Sequence, residues 1–176
     1  VASAQQSGAV ASLQYSNRIL ELILGIFVVS LATVVLPQLS RQSAAGDLKS
    51  VARTGLFAIR LVAFVTIPAT IGTILLRGPI VDLLFRFSGG SFDMQSSYLT
   101  RAALTAHMIG LFFIGGVRVT VNLFFALKDT KTPVLAAGVS MIANVALCLS
   151  LPRWFDHAGV ALANSLAAAL QLFLLL

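Results

Sequence analysis

Residues 22–40 contain no charge, and an arginine and a glutamate stand just before them, in Tyr15-Ser16-Asn17-Arg18-Ile19-Leu20-Glu21. A helix needs about 20 apolar residues to cross the hydrocarbon of a bilayer, and a stretch this long without charge has few other places to go. Composition extends the point to the whole chain. Of 176 residues, 58% are hydrophobic and only 10% are charged, against about 25% charged in a soluble domain. Only helices or closed barrels satisfy their backbone in lipid, and runs of this length select helices. The expected fold class is an all-α polytopic membrane protein.

Turn signals divide the chain into about five transmembrane helices within a single transmembrane domain. The predicted spans are residues 19–39, 54–76, 102–127, 134–151 and 158–176. Pro37 is expected to bend or end the first, and Pro68 to kink the second. Asp47 reads as the N-cap of the second, and Thr132 as a cap before Pro133. Residues 79–86 read as a short interfacial helix with Asp82 paired to Arg86, followed by a turn-rich loop at residues 87–93. Gly110, Gly115 and Gly116 allow close helix contact in the third span. The chain begins at Val1 and ends inside a hydrophobic run, so it reads as a piece of a longer polytopic protein.

The net charge is +6. The basic residues stand singly at the ends of apolar runs, which suits lipid phosphate or an anionic substrate and not the stripe that tracks a nucleic acid. Arg41, Lys49, Arg53, Lys128 and Lys131 lie in alternate short loops, which the positive-inside rule puts in the cytoplasm. No metal-ligand spacing links Cys148, His107 and His157, and no phosphate-binding glycine loop or nucleophile elbow is present, so neither an enzyme nor a cofactor is expected. His107 stands alone on an apolar helix and reads as a packed or hydrogen-bonded histidine.

A charge at the edge of hydrocarbon needs a reason. Arg18 reads either as an interfacial snorkel or as a residue facing a polar cavity. Glu21, three residues on, is its expected partner and alternatively an ion or proton site. Arg118 lies ten residues before Lys128, about 15 Å of helix from that end, so it either lines a cavity or pairs inside the bundle. Arg60, nearer the start of its span, reads as a snorkel with a supporting role.

Beyond these features, the run Tyr15 to Glu21, Ala32-Thr33-Val34-Val35-Leu36-Pro37-Gln38-Leu39-Ser40-Arg41, Thr100-Arg101-Ala102-Ala103-Leu104, Lys128-Asp129-Thr130-Lys131-Thr132-Pro133 and His157-Ala158-Gly159-Val160 resemble, in order and spacing, the MurJ (MviN) family of the MOP exporter superfamily. The resemblance implies a fourteen-helix, V-shaped transporter of which this fragment is mostly the second lobe. It implies alternating access, in a bacterial inner (cytoplasmic) membrane, that flips lipid II, an undecaprenyl-diphosphate-linked disaccharide-peptide. Arginines of a central cavity would bind the diphosphate, with Arg18 matching the family's arginine and Arg118 near another basic position. Asn17 stands where the family commonly has an acid, which leaves Glu21 as the available partner for Arg18. The other expected partners are membrane lipids and a coupling ion. Another MOP-type exporter, either a lipid-linked oligosaccharide flippase or a cation-coupled multidrug antiporter, is the alternative. A drug antiporter would favour acidic and aromatic cavity residues. A membrane enzyme acting on a polyprenyl diphosphate would need acids or a histidine near the arginines, and Asp82 and Asp93 are badly spaced for that. A non-transporting interaction protein on the same fold is a third class.

Overall fold

The computed structural model describes residues 9–86, 94–151 and 158–176, and every regular element among them is helical. The expected loops at residues 87–93 and 152–157, and the start of the chain up to residue 8, lie outside them. In chain order the helices are α1 (Ala9–Ile23), a π-helical segment (Leu24–Val29), α2 (Ser30–Ala44), α3 (Leu48–Leu75), α4 (Arg77–Val81), a second π segment (Asp82–Arg86), α5 (Met94–Ile109), α6 (Leu111–Ala126), α7 (Lys131–Ser150) and α8 (Ala158–Leu175). Four helices are long and apolar enough to cross a membrane, or five if α5 and α6 count as one bent span.

The first span is longer than the apolar run implies. It is helical from Ala9 to Ala44 and does not stop at Pro37. Pro37 removes the intrahelical donor to the Thr33 carbonyl, yet the helix continues to Ala44, as helices within a membrane bundle tolerate. Asp47 caps α3 as expected, its carboxylate accepting from the Ser50 amide at 3.0 Å. Pro68 lies within α3, which stays one helix from Leu48 to Leu75.

The third apolar run is not one helix. α5 and α6 meet at Gly110 at 45°. A Cβ at residue 110 would stand 2.8 Å from the Ser165 Cα of α8, so only glycine permits this approach. The break leaves the last carbonyls of α5 without partners one turn on. They are taken up elsewhere: Ser165 Oγ donates to Ala106 O at 2.9 Å, the Gly110 amide to His107 O at 3.0 Å, and Thr70 Oγ1 of α3 to Met108 O at 3.1 Å.

α1 packs on α5, α3 on α6, and α8 on α5, α6 and α7. The centre is Leu20, Leu24, Val28, Leu104, Met108 and Leu111, all buried. Lipid is as apolar as leucine, so close approach rather than hydrophobic force holds such helices together. Gly115 and Gly116 serve that end, meeting Val62 and Leu172. Phe64, Leu135, Ile142 and Phe173 stay exposed on the outside. Asp82 pairs with Arg101 at 2.6 Å; the expected pairing with Arg86 falls on a side chain outside those described. Arg101 comes from the packed helix α5, and Ser97 of the same helix also donates to Asp82, at 3.0 Å.

The α6–α7 turn closes differently from the expected Thr132 cap. The Asp129 carboxylate accepts from the amides of Lys131 (3.0 Å) and Thr132 (3.1 Å) and from Thr132 Oγ1 (2.6 Å). These bonds, led by that hydroxyl, hold the Asp129 carboxyl below its ordinary 3.8. α6 ends with the Lys128 amide on Phe125 O at 3.0 Å and the Asp129 amide on Phe124 O at 2.9 Å. That closure needs a left-handed residue, usually glycine, yet Lys128 holds it at φ 60°. The Gly46 turn after α2 has the same bonding with glycine in place, at φ 73°. A left-handed non-glycine residue costs roughly 1–2 kcal/mol. Lys128→Gly is therefore expected to stabilise the full-length protein by about 1 kcal/mol, read as a raised thermal midpoint. An unchanged or lowered midpoint would mean that the lysine side chain offsets the strain.

Candidate functional site

The polar face of α1 follows helical spacing. Gln14, Asn17, Arg18 and Glu21 are exposed, while Ser16, Ile19 and Leu20 are buried on the other side. Asn17 and Glu21, one turn apart, line an open cavity of about 440 Å³ between α1, α6, α7 and α8. α6 adds Arg118, α7 adds Asn144, and α8 adds Asn164 and Gln171. A smaller cavity of about 370 Å³ shares Asn17, Asn144 and Asn164 and reaches His107 and Cys148.

Glu21 is paired, but with Arg118 and not with Arg18. Arg118 Nη2 donates to Glu21 Oε1 at 2.9 Å and to Oε2 at 3.1 Å. The reason lies in direction. Glu21 is on the side of α1 that faces α6, where a half-buried guanidinium meets it. Both bonds leave from Arg118 Nη2.

Arg18 is exposed and makes no ion pair or hydrogen bond with another described residue. It lines neither cavity, and on a helix it points away from its neighbour Asn17. Arg60 is exposed on α3 and lines neither cavity either. A groove of about 680 Å³ between α2 and α3 is apolar apart from Ser30, Gln38, Arg53 and Thr54 and shares no lining residue with the polar cavity.

His107 is buried and hydrogen-bonded, its Nδ1 lying 3.0 Å from Ser16 Oγ. Cys148, half-buried, donates to Asn144 Oδ1 at 3.4 Å. Among the described residues no three His, Cys, Asp or Glu side chains gather as a metal site. The carboxamides Asn144, Asn164 and Gln171 carry no charge, so a search for charges in apolar runs passes over them. The signal was present all the same, because each interrupts a span otherwise made of aliphatic and small residues.

The cavity is thus lined by an arginine–glutamate pair and four carboxamides, Asn17, Asn144, Asn164 and Gln171. Residues 1–176 match the family model described as lipid II flippase MurJ. The chain is 34% identical over 175 residues to a probable lipid II flippase MurJ of Vibrio cholerae serotype O1, covering 99% of this chain and 33% of that protein. It is 35% identical to a protein of the same name from Rhizobium meliloti, covering 99% of this chain and 32% of that protein. The lipid II flippase MurJ of Thermosipho africanus is 34% identical over 164 residues, covering 93% and 33% of the two chains. A solved structure of lipid II flippase MurJ in an inward closed conformation superposes with a TM-score of 0.85 at 32% identity, covering 97% of this chain and 35% of that one. The chain thus spans about a third of the length of the relatives it matches. Those relatives are named as transporters and not as catalysts. With a family model matched along all of residues 1–176 and a common helical arrangement, this chain belongs to the MurJ lipid II flippase family.

Proposed function

We propose that the chain is the second-lobe part of a transporter that carries lipid II from the cytoplasmic to the outer leaflet of a bacterial inner membrane. Arg18 is the diphosphate ligand of this lobe, and Arg118, already held by Glu21, is its second cation. The observation that carries the reading is the pairing pattern. Arg118 is half neutralised, whereas Arg18 is exposed without an ionic partner among the described residues. An uncompensated guanidinium in a span-length helix is costly in lipid, and a bound anion removes that cost.

Guanidinium suits the cargo. It stays charged when partly desolvated and offers a planar fork to phosphate oxygens. Two arginines in a wet cleft bind reversibly, which transport requires. The lobes would rock around the site in alternating access, with an ion gradient or the membrane potential as the energy source. By the positive-inside rule the Arg41–Arg53 turn and the Lys128–Lys131 turn face the cytoplasm.

The test is complementation. The full-length protein, expressed in a bacterium depleted of its own lipid II flippase, is expected to restore growth and the appearance of lipid II in the outer leaflet. Normal membrane insertion without either would overturn the reading.

A further inference from the structure

We propose that His107 is a positioning residue for this site: its hydrogen bond to Ser16 sets the rotation of α1 and thereby places Asn17 and Arg18. The inference rests on the assignment of those two residues to the lipid II head-group site. α1 runs straight into the π-helical segment Leu24–Val29. The wider turn of a π segment offsets the polar face of α1 from the faces of α2. The direction of that face is held against the bundle chiefly by the packing of α1 on α5. The apolar side chains buried there, such as Leu20, Leu24, Leu104 and Met108, attract without direction. Ser16 and His107, both buried, add a directional contact between the two helices.

The Ser16 hydroxyl has one proton, and its oxygen lies 3.0 Å from both the Leu13 carbonyl and His107 Nδ1. One arrangement satisfies both contacts: the hydroxyl donates to the Leu13 carbonyl and its oxygen accepts from His107 Nδ1–H. That tautomer is part of the proposal, and His107→Asn against His107→Gln tests it. The histidine itself stands on a braced support. The carbonyls of Ala106, His107 and Met108 are bonded to Ser165 of α8, Gly110 and Thr70 of α3 respectively. The braced elbow thus holds the imidazole, the imidazole holds Ser16, and the next two residues are Asn17 on the cavity wall and the exposed Arg18.

The test uses the full-length protein and side chains that separate the two ring nitrogens. Asparagine can place an amide N–H close to the position of Nδ1; glutamine places its amide near Nε2. Ser16→Ala and His107→Leu are each expected to weaken lipid II binding by about tenfold, as a small misplacement of a binding group does, and together by no more than either alone. His107→Asn should bind like the wild type and His107→Gln like His107→Leu. His107→Asn as weak as His107→Leu, or His107→Leu at full affinity with an unchanged thermal midpoint, would overturn the proposal.

A second measurement does not depend on what the site binds. In an Arg18→Cys, Cys148→Ala background, the rate of modification by a water-soluble methanethiosulfonate reports the direction of residue 18. Adding His107→Leu should change that rate severalfold and adding His107→Asn should not; equal rates in all three would overturn the proposal. Should the rates shift as expected while His107→Leu leaves lipid II affinity intact in the Arg18 protein, the positioning of α1 stands and the head-group assignment falls.

Discussion

Arg18→Ala in the full-length protein is expected to abolish lipid II translocation while leaving expression and thermal stability unchanged. The two halves of this expectation come from one observation. Arg18 is exposed and has no ionic or hydrogen-bonding partner among the described residues, so its removal breaks no contact and alters stability by less than about 0.5 kcal/mol. Its charge-assisted hydrogen bonds to a diphosphate would be worth roughly 1.5–3 kcal/mol, which is about ten- to a hundredfold in affinity. Arg18→Lys keeps the charge but loses the fork, and should recover only part of the activity. Translocation measured in a flippase-depleted strain, with membrane levels checked in parallel, reads all three proteins. Full activity of Arg18→Ala would remove Arg18 from the site.

The Glu21–Arg118 pair gives the second large effect, and its two members should act in opposite directions. Their side chains are 49% and 37% exposed, so solvent screening limits the pair to roughly 0–1 kcal/mol of stability. Its interest is therefore functional. On the proposed reading, Glu21 competes with an incoming anion for Arg118. Glu21→Gln retains a carbonyl acceptor but leaves the guanidinium charge uncompensated. It should bind lipid II several times more tightly and turn over more slowly by up to the same factor, because tighter binding of the ground state slows its release. Arg118→Ala should weaken binding, both by losing donors and by leaving a bare carboxylate to repel the diphosphate. Affinity in detergent and turnover in proteoliposomes check the pair. A shift of affinity in the same direction for both variants would contradict the competition.

Much of the fold was legible because membrane helices write themselves in composition. Long apolar runs separated by Gly46-Asp47, Gly78-Pro79 and Asp129-Thr130 leave little choice of element. What eluded a linear reading were contacts between helices. The bend at Gly110 depends on Ser165, fifty-five positions later, and no local pattern announces it. The π segment has no turn signal of its own. Pro37, expected to bend or end its span, lies inside a helix that continues to Ala44, because a membrane bundle tolerates the backbone bond it removes.

The site divides the same way. The residue types were visible: Arg18 and Glu21 stand at the edge of an apolar run and Arg118 interrupts one, while Asn17 was singled out through the family resemblance. The wiring was not. Arg18 and Glu21 are three apart in sequence and look like a pair, but the fold directs Glu21 to α6 and leaves Arg18 open. His107 and Ser16 are separated by 91 positions, and nothing in either neighbourhood links them. Arg60, read as a snorkel near the start of its span, lines neither cavity.

The most direct measurement is the binding of undecaprenyl diphosphate, free of sugar and peptide, to purified full-length protein and its Arg18→Ala variant in detergent. If Arg18 holds the diphosphate, the variant binds at least about tenfold more weakly, the loss of one charge-assisted contact. Equal affinity for the two proteins would contradict the assignment.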